Sequence, residues 1–188
     1  MAFQRSCFDC LRNYYGSNIV LFVKFEKYSI IQFADGARGI VLRDDGKIAV
    51  FNKKTKNEYK LPGGGVDEGE STAEAFKREC FEETGCIVEI IDFLGTINEL
   101  KTQDDFKQTS YVYIAKVIKD TNSLHVTEQE EKEGARLFWE EPNKALSLIT
   151  ECFDKIVASP CEENKKSVYY TKFIVKRDKK ILETYLEM

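Results

Sequence analysis

Residues 61 to 86 constrain this chain more than any other stretch. They read Leu-Pro-Gly-Gly-Gly-Val-Asp-Glu-Gly-Glu-Ser-Thr-Ala-Glu-Ala-Phe-Lys-Arg-Glu-Cys-Phe-Glu-Glu-Thr-Gly-Cys. Gly63 to Gly65 follow Pro62, and a run of residues without side chains that reach positive φ makes a tight, bare turn. Ser71 is a helix N-cap, and Glu74, three residues on, completes a capping box. The pattern predicts a helix over 72–84, stopped at Gly85.

Glu79, Glu82 and Glu83 are spaced i, i+3 and i+4, so the three carboxylates share one stripe of that helix. Alone they would repel by roughly a few tenths of a kcal/mol per pair. A hard divalent cation relieves this. Mg²⁺ takes oxygen ligands and fills the rest of its shell with water and substrate phosphate. Arg78 lies four residues before Glu82 and is placed to pair with it and orient it.

At these residues the chain resembles the Nudix (MutT-like) hydrolases. Their signature is Gly, five residues, Glu, seven residues, Arg-Glu, an apolar residue, any residue, Glu-Glu, any residue, Gly and an apolar residue. Here it runs Gly64, Glu70, Arg78, Glu79, Cys80, Glu82, Glu83, Gly85, Cys86. Every polar and glycine position matches. The two apolar positions are cysteines, which behave as small hydrophobes.

At 188 residues the chain has the length of one domain with additions. It is 43% hydrophobic and 32% charged, enough for a core. A net charge of −4 argues against a general nucleic-acid surface. No apolar run approaches the roughly 20 residues of a membrane span, and the first residues do not look like a signal peptide. With 6 cysteines and no sign of export, the expectation is a cytoplasmic chain with reduced thiols. Cys7 and Cys10 lack the second pair that a zinc site needs.

Three regions are expected. Residues 1–34 form an N-terminal extension. Its runs at 19–25 and 29–33 suit a β-hairpin that packs on the main domain or pairs with a second copy as a homodimer. Residues 35–157 form the core. Strands are read at 37–42, 47–52, 87–94, 109–117 and 135–140, with a polar turn at 53–58, charged loops at 101–107 and 120–133, and a helix at 143–157 opened by Pro142. Residues 158–188 add a C-terminal helix over 168–186, whose basic cluster Lys176, Arg177, Lys179 and Lys180 reads as a solvated face. The family's fold, an α+β sandwich with a mixed β-sheet between helices, has this element order.

The resemblance implies a reaction. Nudix enzymes hydrolyse the pyrophosphate bond of a nucleoside diphosphate linked to another group, with Mg²⁺ (Mn²⁺ as the substitute) bridging carboxylates and phosphates. Residue by residue, it makes Glu79, Glu82 and Glu83 the metal ligands, with the Gly63 or Gly64 carbonyl facing the metal. Arg78 holds the carboxylates, and Glu79, Glu82 and Arg78 join the catalytic set. Gly64, Arg38 and Tyr113 are the substrate-side residues. Gly64, Glu70 and Gly85 shape the box, Glu70 acting through Arg78 or the loop. For the general base, the acidic loop offers Glu130 or Glu131. His125, the only histidine, reads as a satisfied or exposed side chain.

The substrate class stays open. The proline about fifteen residues past the box that ADP-ribose hydrolases carry is missing, and so is the tyrosine that marks dinucleoside polyphosphate hydrolases. Phe106, Tyr111, Tyr113 and Trp139 offer rings for a base, with a core role as the competing reading. A small nucleotide is the expected partner. A Nudix domain reduced to a nucleotide sensor or scaffold is the other functional class, and the intact set of box carboxylates favours the enzyme. An isopentenyl diphosphate isomerase shares the fold but departs from this box.

Overall fold

The computed structural model describes residues 32–56, 58–158 and 166–188. The expected hairpin falls outside them apart from its last residues, and so do Cys7 and Cys10.

Strand β1 (Gln32–Leu42) turns at Asp44 to Gly46 into β2 (Ile48–Lys53). A 3₁₀ turn (Lys54–Lys56) leads to β3 (Glu58–Lys60) and β4 (Gly63–Gly65), then to helix α1 (Thr72–Thr84). Strands β5 (Cys86–Lys101) and β6 (Phe106–Asp120) follow, then a short helix α2 (Glu128–Lys132) and β7 (Ala135–Glu140). Helices α3 (Pro142–Val157) and α4 (Lys166–Leu186) complete the chain.

Among the described residues, one 7-stranded sheet runs β3-β2-β1-β6-β5, with β4 added beside β1 and β7 beside β2. Strands β1 and β6 pair in parallel, and the other pairs are antiparallel. The sheet is therefore mixed, as expected. Its two faces separate by the period of 2 along each strand. Ala37, Val41, Ala49 and Ala115 pack under Ala75, Phe76 and Cys80 of α1. Ile40, Ile48, Val50, Val112 and Ile114 face Ala145 and Ile149 of α3 and Val175, Ile181 and Leu182 of α4. Helices on both faces make an α/β/α sandwich.

Helix α1 has the bounds its sequence predicts. Ser71 accepts the Glu74 N–H, Glu74 returns a bond to the Ser71 N–H, and Gly85 closes the helix at φ 68°. Pro142 opens α3. The strands run longer than their sequences suggest. β1 starts at Gln32, ahead of the expected core boundary, because Gln32 to Ala34 pair with Phe106 to Gln108. β5 is continuous to Lys101, as register shifts around Phe93 and Gly95 absorb the glycine. The loop expected at 101–107 shrinks to a turn, and the acidic loop contains α2, which has its own Thr127–Glu130 capping box. Among the described residues, no helix is long and apolar enough to cross a membrane.

Candidate active site

The glycine turn and the acidic helix meet as one unit. Strand β4 lies beside β1, with Gly63 opposite Arg38 and Gly64 opposite Ala37. Gly63 takes φ +138°, and a Cβ there would collide with Arg38. A Cβ on Gly64 would strike the Glu79 carboxylate. The turn is bare because α1 presses a carboxylate directly onto its backbone.

Arg78 organises the exposed half of the site. Its guanidinium binds Glu70 in a two-point pair, Nε to Oε1 at 3.0 Å and Nη2 to Oε2 at 3.1 Å. Nη2 also donates to the Gly65 carbonyl at 3.0 Å. Nη1 donates to Glu79 at 2.8 Å and to Glu82 at 3.3 Å. One planar fork thus ties the turn, Glu70 and two box carboxylates together. Burial, with Glu83 and Glu82 nearby, pushes the Glu79 carboxyl up against the pull of Arg78. A partly buried carboxylate raised in this way gains from a nearby cation.

Glu83 occupies a different environment. Its side chain is 3% exposed. Oε1 accepts Lys60 Nζ at 2.5 Å, and Oε2 accepts the Gly63 N–H at 2.9 Å. The expected convergence of all three glutamates is therefore corrected. Glu79 and Glu82 flank Arg78, while Glu83 turns inward because Lys60, at the end of β3, supplies a buried ammonium. Among the described residues, no three His, Cys, Asp or Glu side chains converge as a metal cluster. The donors still fit a hard cation: Mg²⁺ is commonly held by one or two carboxylates plus substrate phosphates, and Glu79 and Glu82 supply two that share Arg78 Nη1, Glu79 also lying against Gly64.

Three further expectations change. Arg38 is 4% exposed and lies beneath α4, where Asp178 is 3.9 Å away. Burial, then the neighbouring Arg177, pushes its pKa down to about 10. A second helix layer covers this face of β1, so Arg38 does not face an open ligand site. Tyr113 donates or accepts a 2.6 Å hydrogen bond with Thr72 and packs against Phe76 and Phe93, with centroids 5.5 and 5.2 Å away. It seats α1 on the sheet. Glu130 spends both oxygens locally: Oε2 on Thr127 in the capping box, Oε1 on Lys53 at 3.3 Å. Burial pushes the Glu130 carboxyl up, but the Thr127 N–H, Lys53 and Lys60 outweigh it and hold it below the usual glutamate value. A depressed pKa makes a weak base.

The His125 ring stacks on Phe81 with centroids 4.7 Å apart, and the His125 backbone N–H donates to the Glu82 carbonyl at 2.8 Å. Arg43 covers the Trp139 ring at 4.9 Å, and Lys101 lies 5.1 Å above Phe106. Cys80 and Cys86 are buried among apolar side chains, and burial pushes the Cys80 thiol well up.

Sequence reasoning missed Lys60 and Asp178. Lys60 stands four residues before the first box glycine, Gly64, and alternation along the short β3 was its only signal. Asp178 sits in the basic cluster of α4 that reads as solvated. Within that cluster Arg177 is 5% exposed, bonded to Asp178 at 2.8 Å and to Glu99 at 3.1 Å. The solvated reading therefore fails for Arg177.

Residues 33–158 match the family model of the NUDIX domain. An ADP-ribose pyrophosphatase from Methanocaldococcus jannaschii is 31% identical over 107 residues, covering 55% of this chain and 63% of that one. A MutT-like protein from Streptomyces ambofaciens is 26% identical over 115 residues, 61% of this chain and 68% of its own. An RNA pyrophosphohydrolase from Xanthomonas campestris is 38% identical over 65 residues, 32% of each chain. The chain thus spans between 32% and 68% of the length of these relatives. A solved NUDIX hydrolase from Nitrosomonas europaea superposes with a TM-score of 0.53 at 16% identity, over 68% of this chain and 90% of that one. That likeness speaks for the fold.

Proposed function

The chain belongs to the Nudix family, and on that premise we propose that it is a Mg²⁺-dependent hydrolase (Mn²⁺ as substitute) that cleaves the pyrophosphate bond of a nucleoside diphosphate linked to another group. The observation that carries this reading is the Arg78 fork, which binds Glu79 and Glu82 together, with Glu79 set against the bare Gly64 turn. Glu79 and Glu82 would hold the cation. The cation neutralises phosphate charge and lowers the pKa of water. Arg78 fixes the two carboxylates, so their geometry is set before substrate arrives. Glu70 fixes Arg78 in turn. Gly64, without a side chain, leaves the space that the Glu79 carboxylate occupies over the loop backbone. Lys60 and Gly63 hold Glu83 oriented beneath the turn. A cytoplasmic location belongs to the same reading, supported by the reduced thiols of Cys80 and Cys86.

The test is product release from nucleoside triphosphates, ADP-ribose, nucleotide sugars, NADH and dinucleoside polyphosphates, with Mg²⁺ and with chelator. Turnover of one class that stops with chelator supports the hydrolase and names its substrate. Tight binding of a nucleotide without turnover would replace it with the sensor.

A further inference from the structure

The family match ends at residue 158, before α4 begins. Yet α4 reaches the glycine loop. Asp178 is completely buried, and its Oδ2 accepts the Leu61 N–H at 2.9 Å. Its Oδ1 accepts Arg177 Nε at 2.8 Å and lies 3.9 Å from Arg38 Nη1. Arg177 is anchored in turn by Glu99 of β5 at 3.1 Å. A buried carboxylate between two guanidinium groups has little freedom to move, because losing either partner leaves an uncompensated charge.

The loop that Asp178 grips is the one Glu83 grips from the other face of the sheet. Leu61 is completely buried. Pro62 follows, and its carbonyl accepts the Gly39 N–H at 3.1 Å. Gly63 then donates to Glu83 at 2.9 Å and packs on Arg38. Gly64 receives Glu79. Residues 61 to 64 are therefore clamped between an acid of α1 and an acid of α4. A one-residue slip at Leu61 would displace both glycines against which the box carboxylates are set.

We propose that Asp178 is a positioning residue for the Nudix site: α4, outside the matched domain, sets the glycine loop against Glu79 and Glu83 through the Leu61 N–H. The inference rests on the hydrolase reading for its effect on turnover, but not for its effect on metal binding.

The experiment compares full-length wild type with Asp178→Asn and Asp178→Leu. It reads Mn²⁺ affinity by calorimetry without substrate, kcat and KM on the substrate found above, and the melting temperature. Asparagine keeps an oxygen that can accept the Leu61 N–H but loses the charge. Leucine loses both. The expected pattern for Asp178→Asn is a lower melting temperature with Mn²⁺ affinity and kcat within about threefold of wild type. Asp178→Leu is expected to lose at least tenfold in kcat and in Mn²⁺ affinity, with KM within about twofold. If Asp178→Leu does not fold, Asp178→Glu takes its place. It keeps the charge but shifts the acceptor by one methylene, so it should lose more kcat than Asp178→Asn while melting higher. Mn²⁺ affinity and kcat that simply follow the melting temperature would overturn the proposal. Absence of turnover in wild type, with the Mn²⁺ pattern as expected, would overturn the hydrolase reading instead.

Discussion

Glu83 and Asp178 hold backbone N–H groups two residues apart on one loop, from helices on opposite faces of the sheet. Glu83 accepts from Gly63, and Asp178 accepts from Leu61, each at 2.9 Å. The loop between β3 and β4 is thereby fixed from both sides. Hydrogen bonds to charged acceptors in a buried setting are among the stronger ones, roughly 1.5–3 kcal/mol each. The consequence is a turn that stays in place although its glycines contribute almost no packing of their own.

Lys60 and Glu83 form a buried pair, with side chains 10% and 3% exposed. Removing one partner leaves the other charged and desolvated. Lys60→Met should destabilise the fold by about 3–5 kcal/mol. The Lys60→Met, Glu83→Gln double variant should lose less than the two single losses combined. Chemical denaturation of the four proteins checks this, and additive losses would show that the pair is not coupled.

Gly64→Ala tests the close approach of Glu79 to the turn. The added methyl meets a carboxylate at the end of a flexible side chain, not rigid backbone. The fold should therefore tolerate it within about 1 kcal/mol. Turnover should drop by roughly 10–100-fold, since a small misplacement of a catalytic group is costly. Parallel melting curves and kinetics check the split. Loss of stability without loss of activity would contradict the placement of Glu79.

Arg78→Lys keeps the charge and removes the fork. A lysine ammonium cannot bridge Glu70, Gly65, Glu79 and Glu82 in one plane. Activity should fall by roughly 10–100-fold, the range for partners that orient metal ligands. Weaker Mn²⁺ binding should accompany it. Wild-type kinetics in this variant would remove Arg78 from the site.

Glu130 gives a pH signature. Its carboxyl is held below the usual glutamate value despite partial burial, because Thr127 and the Lys53 and Lys60 ammonium groups favour the charged form. The folded state then binds its proton less readily than the unfolded chain. Its stabilising contribution is complete above the unfolded glutamate pKa and is lost as pH falls through the lowered folded value. Glu130→Gln should melt lower than wild type at neutral pH, and the gap should close in acid. It should leave kcat within about threefold, since the side chain is committed to Thr127 and Lys53. A kcat loss of about 100-fold, the general-base range, would restore Glu130 as the base.

What the sequence makes legible is local. Ser71, Glu74 and Gly85 mark the ends of α1 because capping acts over three or four residues. The Arg78–Glu82 pair is an i, i+4 contact and follows from helix geometry alone. The side chains the sequence misassigns are those whose partners are distant along the chain. Leu61 and Asp178 are 117 residues apart, Arg177 and Glu99 are 78 apart, and Lys60 and Glu83 are 23 apart. A basic cluster gives no sign that one arginine points inward, because a single buried charge leaves the helical period unchanged. Arg38 and Tyr113 are misread for a similar reason. Alternation along a strand assigns side chains to two faces, but which helix covers each face depends on the tertiary arrangement.

The most direct test is a Mg²⁺ titration of nucleotide hydrolysis with wild type and Glu79→Gln side by side. Wild type should turn over one class of nucleoside diphosphate derivative, with activity rising from none in chelator to a plateau. Glu79→Gln should lose at least about 100-fold at saturating metal, the scale of losing one preorganised electrostatic group, while its melting temperature stays near wild type. Metal-independent turnover, or a Glu79→Gln variant as active as wild type, would contradict a cation site built on this helix.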